Sequence, residues 1–276
     1  MIDIRVMTDK DIDFGLKMTD MEKWGYLRSD FERLIYFEPK GCFIAYQDNV
    51  PVGLVTTSSY GDYAFLGTLI VDKPYRGAKI GQMLMEHSID YLREKGVATI
   101  ELDGVFQAVP LYRRVGFKDK YLSYRLTKIV EGRNHSLERF QPEMLDELIV
   151  FDKCMTGLER ERYLARFAED FCKSIYICKI DGLKAYAIVR PRAEKRVTVG
   201  PMVSENSGYA EMLLHSIMAK YSGYMINLGV LETNRAFVEL LRCLGFIYND
   251  PCLRMYLGEY RDYERHIYGI ISAEKG

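Results

Sequence analysis
An α/β fold of the α+β kind, built as two tandem mixed β-sheets flanked by helices, is what this sequence predicts, and three observations carry it. Tyr63 to Val71 is an apolar run of strand length, rich in β-branched and aromatic residues. Asp72-Lys73-Pro74 stops it, and helical periodicity takes over from Gln82 to Lys95. Val97 to Asp103 then alternates as a second strand, and strand, crossover helix and strand in that order imply a parallel pair. The plan recurs later in the chain. Gly116-Phe117 and Gly245-Phe246 each close a short helical stretch, and the two pairs stand about 130 residues apart, the length of one small domain.

Size and composition bound the function. The chain has 276 residues, 48% of them hydrophobic, which suits two packed domains. Its 38 basic and 39 acidic residues leave a net charge of −1, so neither nucleic acid nor an acidic membrane surface is expected as a partner. No apolar run reaches membrane-spanning length, and Met1 to Arg5 has no secretory pattern, so a cytoplasmic location is expected. The six cysteines, at 42, 154, 172, 178, 243 and 252, form no Cys-x-x-Cys pair. The four histidines are far apart. No metal site is expected, and the thiols should be reduced.

The elements follow in order. Ile2 to Met7 alternates as a strand, and Thr8 is a helix-cap candidate with Asp11 three residues on. One helical region runs to about Thr19 and another from Ser29, again a cap candidate, to Phe37. Trp24-Gly25-Tyr26 lies in the loop between them. Cys42 to Tyr46 and Val52 to Thr57 flank Asp48-Asn49 as a hairpin. In the crossover helix Met83, Leu84, Ile89 and Leu92 form the apolar side. In the following strand Thr99, Glu101 and Asp103 share one face. Pro110 opens a short helix that Gly116 ends, and Tyr121 to Thr127 is a strand. A first domain at 1–130, a linker from Val130 to His135 and a second domain at 136–276 fit this pattern. In the second half Ser174 to Lys179 and Leu183 to Val189 form a hairpin, Arg196 to Pro201 a strand, Ser207 to Tyr221 a helix and Tyr224 to Val230 a strand.

The turn between the Tyr63–Val71 strand and the helix carries the chemistry. A small-residue turn that opens a helix points backbone N–H groups at one spot, where the helix dipole also favours an anion. Arg76 and Lys79 add positive charge there. Arg76-Gly77-Ala78-Lys79-Ile80-Gly81 resembles the acyl-coenzyme A loop of the GNAT acetyltransferases, Arg/Gln-x-x-Gly-x-Gly/Ala, with Lys79 where the middle glycine stands. Tyr112-Arg113-Arg114-Val115-Gly116-Phe117 is similar to the last shared segment of that family. Ala108 stands in the alanine place, and Val105 replaces the usual asparagine.

The resemblance implies acetyl-CoA as cofactor and no metal. It places the diphosphate on Arg76, Gly77, Ala78, Lys79, Ile80, Gly81 and Gln82, and the pantetheine arm and acyl carbonyl on the main chain of Leu69, Ile70 and Val71. It makes Tyr112 the acid that protonates the leaving sulfur, against a packing role as one of 21 tyrosines. Trp24 and Tyr26 would lie on the acceptor side, where Trp24 packing on the core is the equal alternative. A base is needed, because deprotonating a lysine-like amine of pKa ~10.4 at neutral pH costs about 4 kcal/mol. Asp103 is the first candidate, then Glu101 and Asp62.

The second half keeps the scaffold without this equipment. Gly200 to Ser207 has no Arg-x-x-x-x-Gly and carries Glu205, and Leu241 stands where Tyr112 does in the first half. Asp152 to Arg160, with the Gly-Pro strand end, resembles a domain fused to the C-terminal side of bacterial and archaeal GNAT enzymes, here expected to wall the acceptor side and set specificity. The expected function is transfer of an acetyl group from acetyl-CoA to a primary amine of a small molecule or peptide, in a ternary complex, by a monomer or homodimer. A non-catalytic acyl-CoA sensor and a tandem-GNAT aminoacyl transferase stay open, the second disfavoured by the net charge.

Overall fold
A computed structural model describes residues 1–132, 138–192 and 194–276. The linker residues Arg133 to His135 lie outside the described residues, as does Ser136 at the start of the expected second domain. The chain forms two compact units. The first comprises Met1–Lys120 with Arg254–Tyr260 and Glu274–Gly276; the second comprises Tyr121–Leu253 with Arg261–Ala273. The sequence reading divides the chain at 130–136, whereas these units divide between Lys120 and Tyr121, and the first also takes two late segments.

The first unit runs β1 (Ile2–Val6), α1 (Ile12–Met21), α2 (Arg28–Phe37), β2 (Cys42–Gln47), β3 (Val50–Tyr60), β4 (Tyr63–Val71), α3 (Ile80–Glu94), β5 (Thr99–Gly104) and α4 (Val109–Arg114). Its strands lie in that order, and residues Arg254–Gly258 follow β5 at the end. The Asp48-Asn49 turn takes positive φ at both residues (51° and 65°), which matches the twist of the β2–β3 hairpin. Glycine permits α3 to cover one face: a β-carbon on Gly53 would meet Leu84 at 3.2 Å. On the other face Phe31, Leu34, Ile12 and Met18 pack on Cys42, Ile44, Leu54 and Ile70.

Three local readings are corrected. α2 starts at Arg28 with Leu27 as its cap residue, not Ser29, because the Asp30 carboxylate accepts the Leu27 N–H (2.9 Å). α3 starts at Ile80, two residues before the expected Gln82. Met83 is 36% exposed, and Met85 takes its place in the core, because the earlier start fixes Ile80, Leu84, Ile89 and Leu92 as the buried stripe.

β5 shows why late residues belong to the first unit. Thr99 and Glu101 are buried, and Asp103 shares their face as expected. Arg254 Nε donates to Asp103 (2.6 Å) and its Nη1 to Glu101 (3.2 Å), while the Lys120 ammonium donates to Glu101 (2.8 Å) and the Tyr63 hydroxyl adds a bond at 3.0 Å. The guanidinium also lies 4.7 Å over the Phe65 ring. All four charged side chains are fully buried.

The second unit contains β6 (Lys118–Ile129, from Tyr121 on), β7 (Glu138–Arg139), α5 (Leu145–Thr156), α6 (Glu161–Phe171), β8 (Ile175–Lys179), β9 (Leu183–Arg192), β10 (Arg196–Ser204), α7 (Ser207–Lys220), β11 (Met225–Leu231), α8 (Arg235–Cys243), the Ile247–Leu253 part of β12 (Ile247–Gly258) and β13 (Ile267–Gly269). Its strand order is β6-β11-β10-β9-β8-β7, with β13 on β10. Helices α5 and α6 meet through Arg160, which chelates the buried Asp152 together with the Tyr186 hydroxyl.

Removing Arg254 leaves Glu101 and Asp103 buried with one cation fewer. Arg254→Ala is expected to destabilise the protein by about 3–5 kcal/mol, read by denaturant unfolding, because a broken buried pair strands its partners in a low-dielectric site. A loss within about 0.5 kcal/mol would show that the cluster contributes nothing net.

Candidate active site
The parallel register of β4 on β5 runs from Tyr63↔Thr99 to Phe65↔Glu101 and ends there, although both strands continue. Against β3, β4 carries one extra residue between Gly67 and Ile70. Thr68 absorbs it with φ +51°, a left-handed conformation few side chains adopt. Beyond the break, Leu69, Ile70 and Val71 follow on a strand no longer laddered to β5, the setting in which main-chain groups can serve a ligand.

The chain then turns into α3. Gly77 takes φ +87° with nothing within 4 Å of a built β-carbon. Lys79 takes φ +61°, ψ 10° and caps the helix. The missing loop glycine is therefore replaced by a lysine held in a glycine conformation, at a cost of about 1–2 kcal/mol. Among the described residues no side-chain cap bond forms at Lys79, and the first turn of α3 leaves backbone N–H groups without intrahelical partners.

A cleft of about 250 Å³ opens at this point, lined by Val71, Tyr75, Arg76, Gly77, Lys79, Ile80, Gly81, Gln82, Leu111 and Arg114. Three of these residues are cations and none is acidic, so the charge and the helix start act in the same direction. Arg76 donates to the Val71 carbonyl (2.8 Å) and to Glu22 (2.5 Å). The Glu22 pair is half-exposed and worth little, so it costs Arg76 little to turn to a phosphate.

The sequence candidates do not all meet in one place. Val71, Arg76, Gly77, Lys79, Ile80, Gly81 and Gln82 meet in the cleft, while Leu69, Ile70 and Ala78 are not among its lining residues. Tyr112 is buried against Gly104, where a β-carbon would fall 2.6 Å from the ring, and it meets Phe117 edge-on; its helix neighbours Leu111 and Arg114 line the cleft instead. Asp103 and Glu101 belong to the Arg254 cluster, and Asp62 is exposed in the β3–β4 turn.

Trp24 and Tyr26 lie together, ring centroids 6.2 Å apart, with Tyr26 also 5.5 Å from Phe31. Trp24 is 41% exposed, so it does not serve the core. The Tyr26 residue is only partly covered, but its hydroxyl reaches Thr68 and Glu274, both buried. Burial first, and the Glu274 carboxylate next, push this phenol well above its ordinary range. Tyr75, Leu111, Arg114, Thr68 and Glu274 were not reachable from sequence. Tyr75 and Leu111 flank motifs without being part of them, Arg114 stands at an unspecified position inside the Tyr112–Phe117 segment, and Glu274 sits at the far end of the chain from the strand it touches.

The second unit closes the equivalent places. β10 pairs with β11 only as far as Val199↔Leu228, and β13 with Ile270 occupies the space beyond: Met202 pairs with Gly269, and the Ile270 N–H donates to Gly229. Asn206 caps α7 by accepting the Tyr209 N–H (3.1 Å), and Glu205 pairs with Lys184 (3.0 Å).

Two family models match the chain. Residues 13–117 match the acetyltransferase (GNAT) family, and residues 148–269 match an acetyltransferase (GNAT) domain. The chain is 28% identical over 262 residues to holothin acyltransferase of Pseudoalteromonas sp. (strain SANK 73390), covering 92% of this chain and 88% of that one. Its fold is similar to that of a crystallised putative acetyltransferase from Pyrococcus horikoshii, with TM-score 0.82, 24% identity, and 100% of this chain and 96% of that one covered. It also resembles a tandem GNAT protein from the clavulanic acid biosynthesis pathway, with TM-score 0.66, 14% identity and 95% and 100% coverage.

Lys79→Gly should relieve the left-handed strain while loosening the unfolded chain by a similar ~1 kcal/mol, so the melting temperature should move by only a few degrees. Coenzyme A affinity should fall several-fold, with a weaker salt dependence, as measured by calorimetry at two ionic strengths. Unchanged affinity would mean that Lys79 serves the loop alone.

Proposed function
The chain belongs to the GNAT acetyltransferase family and is an N-acetyltransferase, and we propose that it uses acetyl-CoA to acetylate a primary amine of a small molecule or peptide, with the cofactor held by the first unit alone. The observation that carries this reading is the cleft itself: an uncapped helix start and three cations, directly after the point where β4 leaves β5. These residues fit a diphosphate. Arg76, Lys79 and Arg114 would neutralise it, and the N–H groups at the start of α3 would donate to it. When bound, acetyl-CoA supplies the activated acyl carbon.

The chain's own groups do the rest. In this proposal the main chain of Leu69, Ile70 and Val71, free of β5, supplies the polar groups that hold the pantetheine arm and polarise the acyl carbonyl. Tyr112 donates a proton towards the departing sulfur. Its buried position against Gly104 fixes the ring, and α4 has to bring the hydroxyl within reach of the sulfur. The second unit, with its helix start capped by Asn206 and its strand gap filled, binds no cofactor; we propose that it serves acceptor selection. The likeness to holothin acyltransferase, over nearly the whole of both chains, makes holothin the first acceptor to test.

Calorimetry should give one coenzyme A site per chain, and Arg76→Glu should weaken it at least tenfold. Two equal sites, or an unaffected variant, would overturn the single-cleft reading. Turnover is tested by thiol release from acetyl-CoA with holothin, an alanyl peptide, a lysyl peptide and phenethylamine; no release with any of them would argue for a sensor.

Tyr112→Phe keeps the buried ring and removes the proton donor. Turnover should fall by about 10²-fold or more, with coenzyme A affinity and melting temperature unchanged. Normal specific activity with a lowered melting temperature would assign Tyr112 to packing.

A further inference from the structure
One of the three cations in the cleft is held from outside it. Arg76 Nε donates to the Val71 carbonyl (2.8 Å), and its Nη2 donates to the Glu22 carboxylate (2.5 Å). Arg76 and Val71 line the cleft, whereas Glu22 is not among the lining residues and stands at the C-terminal cap of α1. That is a poor place for a carboxylate. The negative end of the helix dipole faces it, and the last turn of α1 carries no basic residue. Among the described residues the ion-pair partner of Glu22 is Arg76 alone. A second pair joins α1 to the turn before α3, Lys17 Nζ to Asp72 at 3.4 Å.

The loop that starts at Glu22 also reaches the bulge of β4. Trp24 and Tyr26 follow, ring centroids 6.2 Å apart, and the Tyr26 hydroxyl contacts Thr68. Leu69, Ile70 and Val71 lie between the two attachments. Glu22 ties the loop to Arg76, and so to the Val71 end; Tyr26 ties it to the Thr68 end.

We propose that Glu22 is a positioning residue that couples the cofactor cleft to the Trp24–Tyr26 loop: it holds Arg76 while the cleft is empty and yields it to the diphosphate, which releases that end of the loop. The proposal rests on the acetyltransferase reading above and deepens it. The bond to Val71 keeps the guanidinium at the cleft wall, so the exchange involves only its Nη end. Hydrogen-bond count alone would let both anions share Arg76, because a guanidinium has five N–H donors. Charge decides against sharing. A diphosphate at the start of α3 and a carboxylate on the same guanidinium are like charges a few ångströms apart in a partly covered cleft. The coupling is reciprocal: whatever Glu22 takes from cofactor affinity, the bound cofactor takes from the Glu22 pair. Its size is small, because Arg76 is 48% and Glu22 31% exposed.

Trp24 is the single tryptophan of the chain and is 41% exposed, so tryptophan emission reports on this loop alone. Coenzyme A should change that emission in the wild-type protein and change it much less in Glu22→Gln, where the loop is already released. Direct quenching of Trp24 by the adenine ring would act equally in both. By calorimetry at low ionic strength, Glu22→Gln should bind coenzyme A about 1.5- to 5-fold more tightly than wild type, and the difference should shrink as salt screens the pair. In an Arg76→Gln background, adding Glu22→Gln should alter neither readout. A wild-type protein that binds coenzyme A with no change in emission would overturn the coupling and leave the acetyltransferase reading standing. So would an emission change of wild-type size in Glu22→Gln, or a coenzyme A affinity that does not rise. A wild-type protein that shows no coenzyme A binding by calorimetry would overturn the reading itself, and the coupling with it.

Discussion
The first unit turns on the buried charge cluster of Glu101, Asp103, Arg254 and Lys120. Two carboxylates on one face of β5 repel each other and cannot be left in a low-dielectric interior alone. Lys120 donates to Glu101, while Arg254, from a strand far along the chain, donates to both Glu101 and Asp103. The polar interior of this unit is therefore satisfied only when late residues have been placed. The guanidinium lies over Phe65, and Phe65↔Glu101 is the last pair of the β4–β5 ladder.

The two units show how one scaffold gains or loses an anion site. At the start of α3 no side-chain cap bond forms among the described residues, cations line the approach and no carboxylate stands among the lining residues. At the start of α7 Asn206 satisfies an N–H and Glu205 supplies negative charge next to the cap. The strand gap differs in the same sense. Beyond Phe65, β4 bulges at Thr68, whereas beyond Val199 the space is taken by β13 and Ile270. Small differences at two places, each worth on the order of 1 kcal/mol as a cap or a helix-dipole charge, distinguish the two helix starts.

Two of the non-glycine residues with positive φ stand beside the site. Thr68 and Lys79, neither of them glycine, hold left-handed conformations on either side of Leu69 to Val71. Lys79 gives its position a charge that glycine lacks, and Thr68 gives a hydroxyl that links Thr56 to Tyr26. Such residues persist where surrounding contacts over-determine them, and here those contacts are the bulge and the helix start.

The strand, turn and helix from Tyr63 to Glu94 were legible in the sequence because their determinants are local: a β-branched run, a proline stop, a glycine turn and a 3.6-residue period. The same locality made the Arg76–Gln82 cleft legible, and the repeat at Gly245-Phe246 made the second unit so. Whether Lys79 could replace the loop glycine was a matter of backbone dihedral, which residue type restricts but does not fix. The surroundings of Asp103, Tyr26 and Glu274 were illegible for a different reason. Each depends on a partner brought from the far end of the chain, Arg254 to Asp103 and Glu274 to Tyr26 and Gly67. Sequence alone determined the main elements and the basic, glycine-containing turn, since hydrophobic period and turn chemistry act over a few residues. Only the tertiary structure decided which partners the buried carboxylates take, Arg254 and Lys120 for those of β5 and Lys275 and Tyr26 for Glu274, since that choice follows from burial and charge pairing.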